Sequence, residues 1–316
     1  MIVLKIKKIL KSSLLFPLYK ESKIKFIQKY PILYTRIVYK RFYKYSLNLE
    51  HPVKLSEKIQ YLKLFVYPKN EKVILAADKF TLHEYLAENN LSKYSVPYIK
   101  IIDDINKLCL QELPDQFVLK KTNASGMNLI VKNKNKLDVV KTKDLLNKWM
   151  NTDFGALSTE HHYSAAIPQI ICEPFLDLGD EYRFFMVSGE VAFIQVIKWD
   201  WTISQNGEKS EDNDVITGHK KHYRLFFDIN LNLIRSDDGD YKKNISIPTY
   251  WEDLIHVSKI IGKDFPVVRV DFNDVNGAPK ITELTFTPAN GFLSILRDEE
   301  KLDSKLGEQL ELSGIS

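Results

Sequence analysis

Three stretches of the 316-residue chain combine residue types able to do chemistry. In LPDQFVLKKTNASGMNLIVKN, residues 113–133, Lys120 ends an apolar strand and a small-residue loop containing Ser125 and Gly126 follows. A loop that small lets backbone N–H groups close on an anion, so a lysine beside it suits phosphate; otherwise a lysine at a strand end is merely solvated. In CEPFLDLGDE, Phe175 and Leu176 form an apolar connector between Glu173 and the pair Asp180 and Glu181. An adenine can lie against such a connector while a carboxylate accepts ribose hydroxyls, or the segment can serve as a hinge between two lobes. The third stretch, FPVVRVDFNDVNGAPKITELTFTP at 265–288, sets Arg269, Asp271, Glu283 and Thr285 on two strands around one turn, where a plain hairpin needs no charge.

Side chains alternate between the faces of a strand. Val268, Val270 and Phe272 therefore share one face, and Arg269 and Asp271 the other. The second strand divides into Thr282, Leu284 and Phe286 against Ile281, Glu283 and Thr285. Opposed residues of an antiparallel pair lie on the same face, so Asp271 meets Glu283 and Arg269 meets Thr285 only across a turn of odd length. The expectation is an odd loop centred on Gly277, since a two-residue Asn276–Gly277 turn separates the carboxylates and Pro279, lacking a donor, favours a longer loop. The apolar face is expected to be buried against the helix WEDLIHVSKIIG. Taken alone, the polar face meets solvent.

The elements that must position these residues follow from periodicity. LSEKIQYLKLF (55–65) has helical spacing with Ser56 as its cap, and AADKFTLHEYLAENN (76–90) reads as one helix ending in an asparagine pair. A helix at 142–152 and a strand at 168–176 come next, then a hairpin across Ser188–Gly189, the strand HYRLFFDI and the helix before the last hairpin. This is an α+β pattern of antiparallel sheets covered by helices.

Composition excludes several classes. Cys109 and Cys172 have no paired spacing, so neither a disulfide framework nor a zinc site is indicated and a reducing cytosol fits. His161–His162 and the pair His219 and His222 lack further ligands nearby, and the acidic runs at 211–214 and 236–240 lack the spacing of a calcium loop. Of the 45 basic and 41 acidic residues, 12 and one fall within the first 48. The opening MIVLKIKKILKSSLLFPLYKES is too interrupted by lysine for a membrane span or a signal peptide. With tyrosines interleaved to residue 45, the segment 1–48 reads as basic amphipathic helices that either lie on an anionic membrane surface or pack as an arm with a solvated basic face. No recognition motif accompanies the charge, so nucleic acid is not an expected partner.

In order along the chain, ADKF, FVLK, the Ser-Gly loop, CEPFLDLGDEYRFF, RVDF and ITELTFTP resemble the ATP-grasp superfamily over about residues 52–312. More narrowly they resemble its TupA-like family, associated with teichuronopeptide and surface-polysaccharide biosynthesis. The resemblance implies an ATP-grasp fold of two lobes with a nucleotide cleft between them. The spans are a basic helical arm (1–50), a helical region (51–112), a small lobe (113–176) and a large lobe carrying the metal site (177–316). It implies that Asp271 and Glu283 hold Mg²⁺ across the ATP triphosphate, and that Arg269 meets the reacting phosphoryl group or oxyanion. Lys120, with Lys79 of ADKF, contacts phosphates beside Ser125 and Gly126. Glu173 through Leu176 become the adenine connector, with Glu181 at the ribose and Asp180 competing for that place because the segment is one residue longer than the usual pattern. Two departures stand out: Thr285 replaces the usual asparagine metal ligand, and Asn123–Ala124 replace a His-Gly ahead of the loop.

The function implied is an ATP-dependent carboxylate–amine ligase, cytoplasmic or peripheral on the inner face of the membrane, acting on small-molecule or glycan substrates. Its rivals are a glycosyltransferase using the acidic DFND as its metal motif, and a non-catalytic nucleotide-binding membrane scaffold, which Thr285 raises.

Overall fold

A computed structural model describes residues 16–199, 215–217, 222–236 and 247–314. Residues 1–15 of the basic arm, the acidic run 211–214, His219 and residues 237–240 lie outside the described residues. The strands are β1 (Lys100–Ile102), β2 (Phe117–Lys121), β3 (Asn128–Val131), β4 (Ile170–Pro174), β5 (Leu178–Val187), β6 (Glu190–Trp199), β7 (Val215–Thr217), β8 (His222–Phe227), β9 (Leu233–Ser236), β10 (Val267–Val275) and β11 (Ala278–Thr285). They form a five-stranded sheet ordered β1-β4-β2-β3-β7 and a six-stranded sheet ordered β11-β10-β5-β6-β8-β9, and every ladder between them is antiparallel. The smaller sheet takes β1 and β7 from outside residues 113–176. The three residues 175–177 carry the chain from β4 in one sheet to β5 in the other.

The large sheet is held by its apolar face. Val268, Val270, Phe272, Leu284 and Phe286 are all fully buried, and the helix Trp251–Gly262 lies on this face. The Trp251 ring is 5.3 Å from that of Phe184, which is 5.7 Å from that of Phe272. Removing this much aromatic and branched apolar surface from water is the main force fixing β5 and β10 against the helix.

Two helix expectations are corrected. Residues 76–90 are not one helix: Glu71–Ala77 and Leu82–Glu88 are separated by a turn, because Asp78 Oδ1 accepts from the backbone N–H groups of Phe80 (2.9 Å) and Thr81 (3.1 Å). An aspartate bonding the backbone just ahead of it offers an alternative to the helical ladder. Ser56 is not a cap either. It lies inside the helix Leu55–Tyr61, fully buried, and its Oγ donates to Asp303 (2.6 Å), while Glu57 accepts from the N–H groups of Val53 and Lys54 at the helix start.

The described part of the arm forms the helices Phe16–Lys29 and Pro31–Tyr43. Thr35, Tyr39 and Tyr43 turn inward, with the Tyr43 hydroxyl donating to the Gly291 carbonyl (3.1 Å), so one face of the arm is packed on the domain. No described helix is long and apolar enough to cross a membrane.

Candidate functional site

β10 and β11 are joined by the two-residue turn that sequence reasoning rejected. Asn276 and Gly277 are both left-handed (φ 53° and 80°), and Val275 pairs with Ala278. Yet Asp271 still pairs with Glu283, and Arg269 with Thr285. The parity is restored by a β-bulge: Asp271 faces Glu283 while Phe272 faces Ile281, leaving Thr282 as the extra residue. One added residue inverts the alternation of everything beyond it. Ile281 is therefore buried in the core rather than sharing the face of Glu283, and Thr282 joins the polar side, its Oγ1 donating to Asn273 Oδ1 (3.1 Å). Pro279 sits in the ladder opposite Asp274, tolerated because β11 is an edge strand.

This polar face forms one wall of a cleft of about 360 Å³. Lys79, Lys120, Ser125 and Gly126 line one side; Glu181, Arg183, Arg269, Asp271, Asn273, Thr282 and Glu283 line the other. The broken helix explains Lys79: the turn at Asp78–Thr81 brings its backbone to Thr122 (N–H to carbonyl, 3.2 Å) and its ammonium to the Ala124 carbonyl (2.7 Å). From there Lys79 Nζ reaches Glu283 Oε1 at 3.4 Å. Alternation along β2 separates the two adjacent lysines. Lys120 pairs with Glu173 (2.5 Å), whereas Lys121 turns inward and donates to the carbonyls of Trp149 and Thr152 at the end of the helix Val139–Met150.

The electrostatics centre on Arg269. Its Nε donates to Asp271 Oδ1 at 2.6 Å and its Nη2 to Asp271 Oδ2 at 2.5 Å, a bidentate pair. The same Nη2 donates to Thr285 Oγ1 (3.0 Å) and stands 3.7 Å from Glu283 Oε2. Burial pushes Asp271 up to about 6, and Arg269 and Arg183 limit the rise. Burial also opposes ionisation of Glu283, but Lys79, Arg269 and Arg183 outweigh it and hold the group below its ordinary value. Arg183 in turn binds Glu181 (2.7 Å) and approaches Asp271 (3.6 Å).

The expected residues divide into two groups. Lys79, Lys120, Ser125, Gly126, Glu181, Arg269, Asp271 and Glu283 converge on the cleft. Glu173 stands beside it through Lys120, and Thr285 through Arg269. Phe175 and Leu176 are half-buried in the link between the sheets and do not line the cleft. Asp180 falls on the opposite face of β5 with Tyr182, near Tyr250, so of the two competing carboxylates Glu181 faces the cleft. Sequence reasoning missed Arg183, Asn273 and Thr282. The first two were findable, since each lies two residues along its strand from a residue already singled out, Glu181 and Asp271; Thr282 depends on the bulge.

The donor set fits Mg²⁺. Asp271 and Glu283 are hard oxygen donors on one ladder rung, and both already converge on a single positive atom, Arg269 Nη2. That is the arrangement a small hard cation needs from protein when phosphate and water complete its shell. No cluster of three or more His, Cys, Asp or Glu able to hold a metal occurs among the described residues.

A family model described as TupA-like ATPgrasp matches residues 57–205 and 213–311, most of the chain. The chain belongs to the TupA-like ATP-grasp family. Its two antiparallel sheets with covering helices are the ATP-grasp fold. Solved structures similar to this ATP-grasp protein include the D-alanine–D-alanine ligase of Bacillus anthracis complexed with ATP (15% identity, 76% of this chain and 66% of that one, TM-score 0.45). The D-alanine–D-alanine ligase of Helicobacter pylori matches at 14% identity (81% and 69%, TM-score 0.43), and an L-amino acid ligase of Bacillus licheniformis at 13% (76% and 49%, TM-score 0.43). The chain thus spans about two thirds of the first two and about half of the third. No curated relative matches it.

Proposed function

We propose that this ATP-grasp protein is an ATP-dependent ligase that joins a carboxylate to an amine. The observation that carries the reading is the bulged register, which turns Asp271 and Glu283 onto one face and sets them across a cleft from Lys79, Lys120 and the Ser125–Gly126 turn. In this reading the backbone of that turn and the two lysines take the triphosphate, and the 175–177 link beside Glu173 takes the adenine. Glu181 accepts from the ribose hydroxyls. Asp271 and Glu283 would hold Mg²⁺, which would neutralise phosphate charge there.

The reaction runs in two steps. A substrate carboxylate attacks the terminal phosphorus, the bond to the bridging oxygen breaks, and ADP leaves with that electron pair, giving an acyl phosphate. The amine then attacks the acyl carbon, phosphate departs and a proton is released, leaving an amide. Arg269 serves the charge that develops on the transferring oxygens and then on the tetrahedral oxyanion. For this its guanidinium must give up part of its hold on Asp271, which a metal ion at the carboxylates would allow. Thr285, engaged by Arg269, acts in this reading as a support for the arginine and as a third oxygen donor.

A finer reading, with an amino acid and a uronic acid or amino sugar of a surface glycan as substrates, is supported by the family resemblance alone. The test is a screen of carboxylate and amine pairs for substrate-dependent formation of ADP and phosphate. Release of UDP from a sugar nucleotide overturns the ligase in favour of a glycosyltransferase. Tight Mg·ATP binding with no turnover across the screen favours the scaffold.

A further inference from the structure

The arm presents a second face that none of the described residues covers. On the helix Pro31–Tyr43, Thr35, Tyr39 and Tyr43 follow one another at four-residue spacing and are buried. On the far side stand Leu33 and Ile37, one turn apart, with 49% and 52% of their surfaces exposed; Tyr30 and Ile32 at the start of the helix are 45% and 40% exposed. An amphipathic helix whose polar side faces water would carry only charged and polar groups there. This one interleaves the exposed apolar residues with Lys29, Arg36, Lys40, Arg41 and Lys44, all exposed. At the C-terminal end of the helix, Arg41 and Lys44 border a hollow of about 360 Å³.

We propose that this face docks on an anionic lipid bilayer, with Leu33 and Ile37 entering the interfacial layer and the flanking cations meeting headgroup phosphates. Charge complementarity selects the occupant. The first 48 residues hold 12 basic side chains and one acidic one, so a second copy of the chain would bring like charge against like. Residues 1–15, with four lysines of their own, would do the same if they folded over the patch. A purely apolar partner has no use for the cations, and an acidic partner has no use for Leu33 and Ile37. A bilayer of anionic lipid uses both, and Tyr30 is a residue type that settles at its headgroup level. The two readings of the arm are thus not exclusive: one face is packed and the other is free to dock.

The test is co-sedimentation of the full chain with vesicles of phosphatidylcholine alone and of phosphatidylcholine mixed with phosphatidylglycerol. Binding to the anionic vesicles only is expected, falling steeply as salt rises from about 0.1 M to 1 M and the screening length shrinks from about 10 Å to about 3 Å. The paired changes Leu33→Ser with Ile37→Ser, and separately Arg36→Gln with Lys40→Gln, should each lower the partition by about tenfold or more. Melting temperatures should stay unchanged, because all four side chains are exposed. Equal partition onto both vesicle types overturns the proposal, as does binding that neither double variant weakens. So does a fall in partition that accompanies dissociation of a dimer in light scattering, which would assign the patch to a second copy.

Discussion

Two polar clusters flank the end of β11 and are built on opposite terms. In the cleft, Arg269, Asp271, Glu283, Lys79 and Arg183 form a chain of ion pairs in which most groups have more than one opposite partner, at distances from 2.5 to 3.7 Å, and the chain opens to a cavity. Beyond Thr285 lies a closed cluster. Lys63, fully buried, donates to Asn290 Oδ1 (2.5 Å), and Glu160 accepts from the Thr287 hydroxyl. His162 nearby has no partner for either ring nitrogen among the described residues. Burial pushes Lys63 down to about 7 and Glu160 up, and the attraction between the two opposes both shifts. Between them the turn through Ala289, Asn290 and Gly291 is left-handed at three consecutive residues (φ 50°, 58° and 75°), and Gly291 is pressed so closely on Gln60 that a Cβ would stand 2.3 Å from its Nε2. The cleft cluster has spare partners and an opening, so its bonds can be exchanged for those of a ligand. The closed cluster is buried, and its bonds from Lys63 and Gln60 to Asn290 hold a strained turn in place.

The sharpest way to break this contrast is to remove one charge from each side. In the cleft, Glu283→Gln should lower turnover by roughly a hundred- to a thousandfold with little change in melting temperature, since Glu283 is partly exposed. Asp271→Asn should be as damaging to turnover and should also destabilise the fold by about 3–5 kcal/mol, because it leaves Arg269 buried beside a neutral group. Wild-type rates of ADP formation in either variant would defeat the metal reading.

In the closed cluster, Lys63→Met should cost about 3–5 kcal/mol by leaving Glu160 without its buried cation. The double variant with Glu160→Gln should lose less than the two single losses combined, and ATP affinity measured by calorimetry should not move in any of the three. A change in nucleotide affinity comparable to that of the cleft variants would erase the distinction between the clusters.

A pH titration sharpens the contrast further. Burial, then Lys63, lowers His162 from its ordinary 6.5 to about 3. Between those values the unfolded chain binds a proton that the folded chain refuses, so stability falls as pH drops below about 6.5, at about 1.4 kcal/mol per pH unit. Denaturant melts of His162→Leu should show a shallower acid limb than wild type; an identical limb would mean that another group carries it. The smallest effect is expected at the hairpin tip. Gly277→Ala forces alanine into a left-handed conformation at φ 80° and should destabilise by about 1–2 kcal/mol with no effect on turnover, which thermal melts and ADP release measure together.

Much of the cleft was legible because it is local. The polar face of Arg269 and Asp271 and the buried face from Val268 to Phe286 follow from period-two alternation, while the pairing of 269 with 285 and 271 with 283 was expected from the demand for facing carboxylates. What alternation cannot show is an irregularity in itself. The reading inferred an odd turn from a demand for paired carboxylates, when a bulge at Thr282 met the same demand and freed Asn276–Gly277 to form the turn those residues prefer. The break at Asp78 was visible in principle as an aspartate at a helix end, but the apolar pattern continued across it. The closed cluster left no trace at all: Lys63, Glu160, His162, Thr287 and Asn290 come from segments about a hundred residues or more apart, and no spacing rule connects them.

The bulge has one more consequence, for how the hairpin tolerates change. It works as a phase shifter, dividing the hairpin into an inner section tuned to the cleft and an outer section tuned to the turn. Because the two sections keep separate phase, residues from Val275 to Ala278 can be exchanged without rotating a carboxylate, and around Gly277 there is open space to receive new side chains. A slip into plain register with every residue present would set Thr282 opposite Asp271 and turn Glu283 toward the core beside Val270. A single-residue deletion between Pro279 and Thr282 instead takes out the extra residue itself, and the two-residue turn then runs in plain register to Glu283 opposite Asp271, so the hairpin can lose its bulge and keep its paired carboxylates.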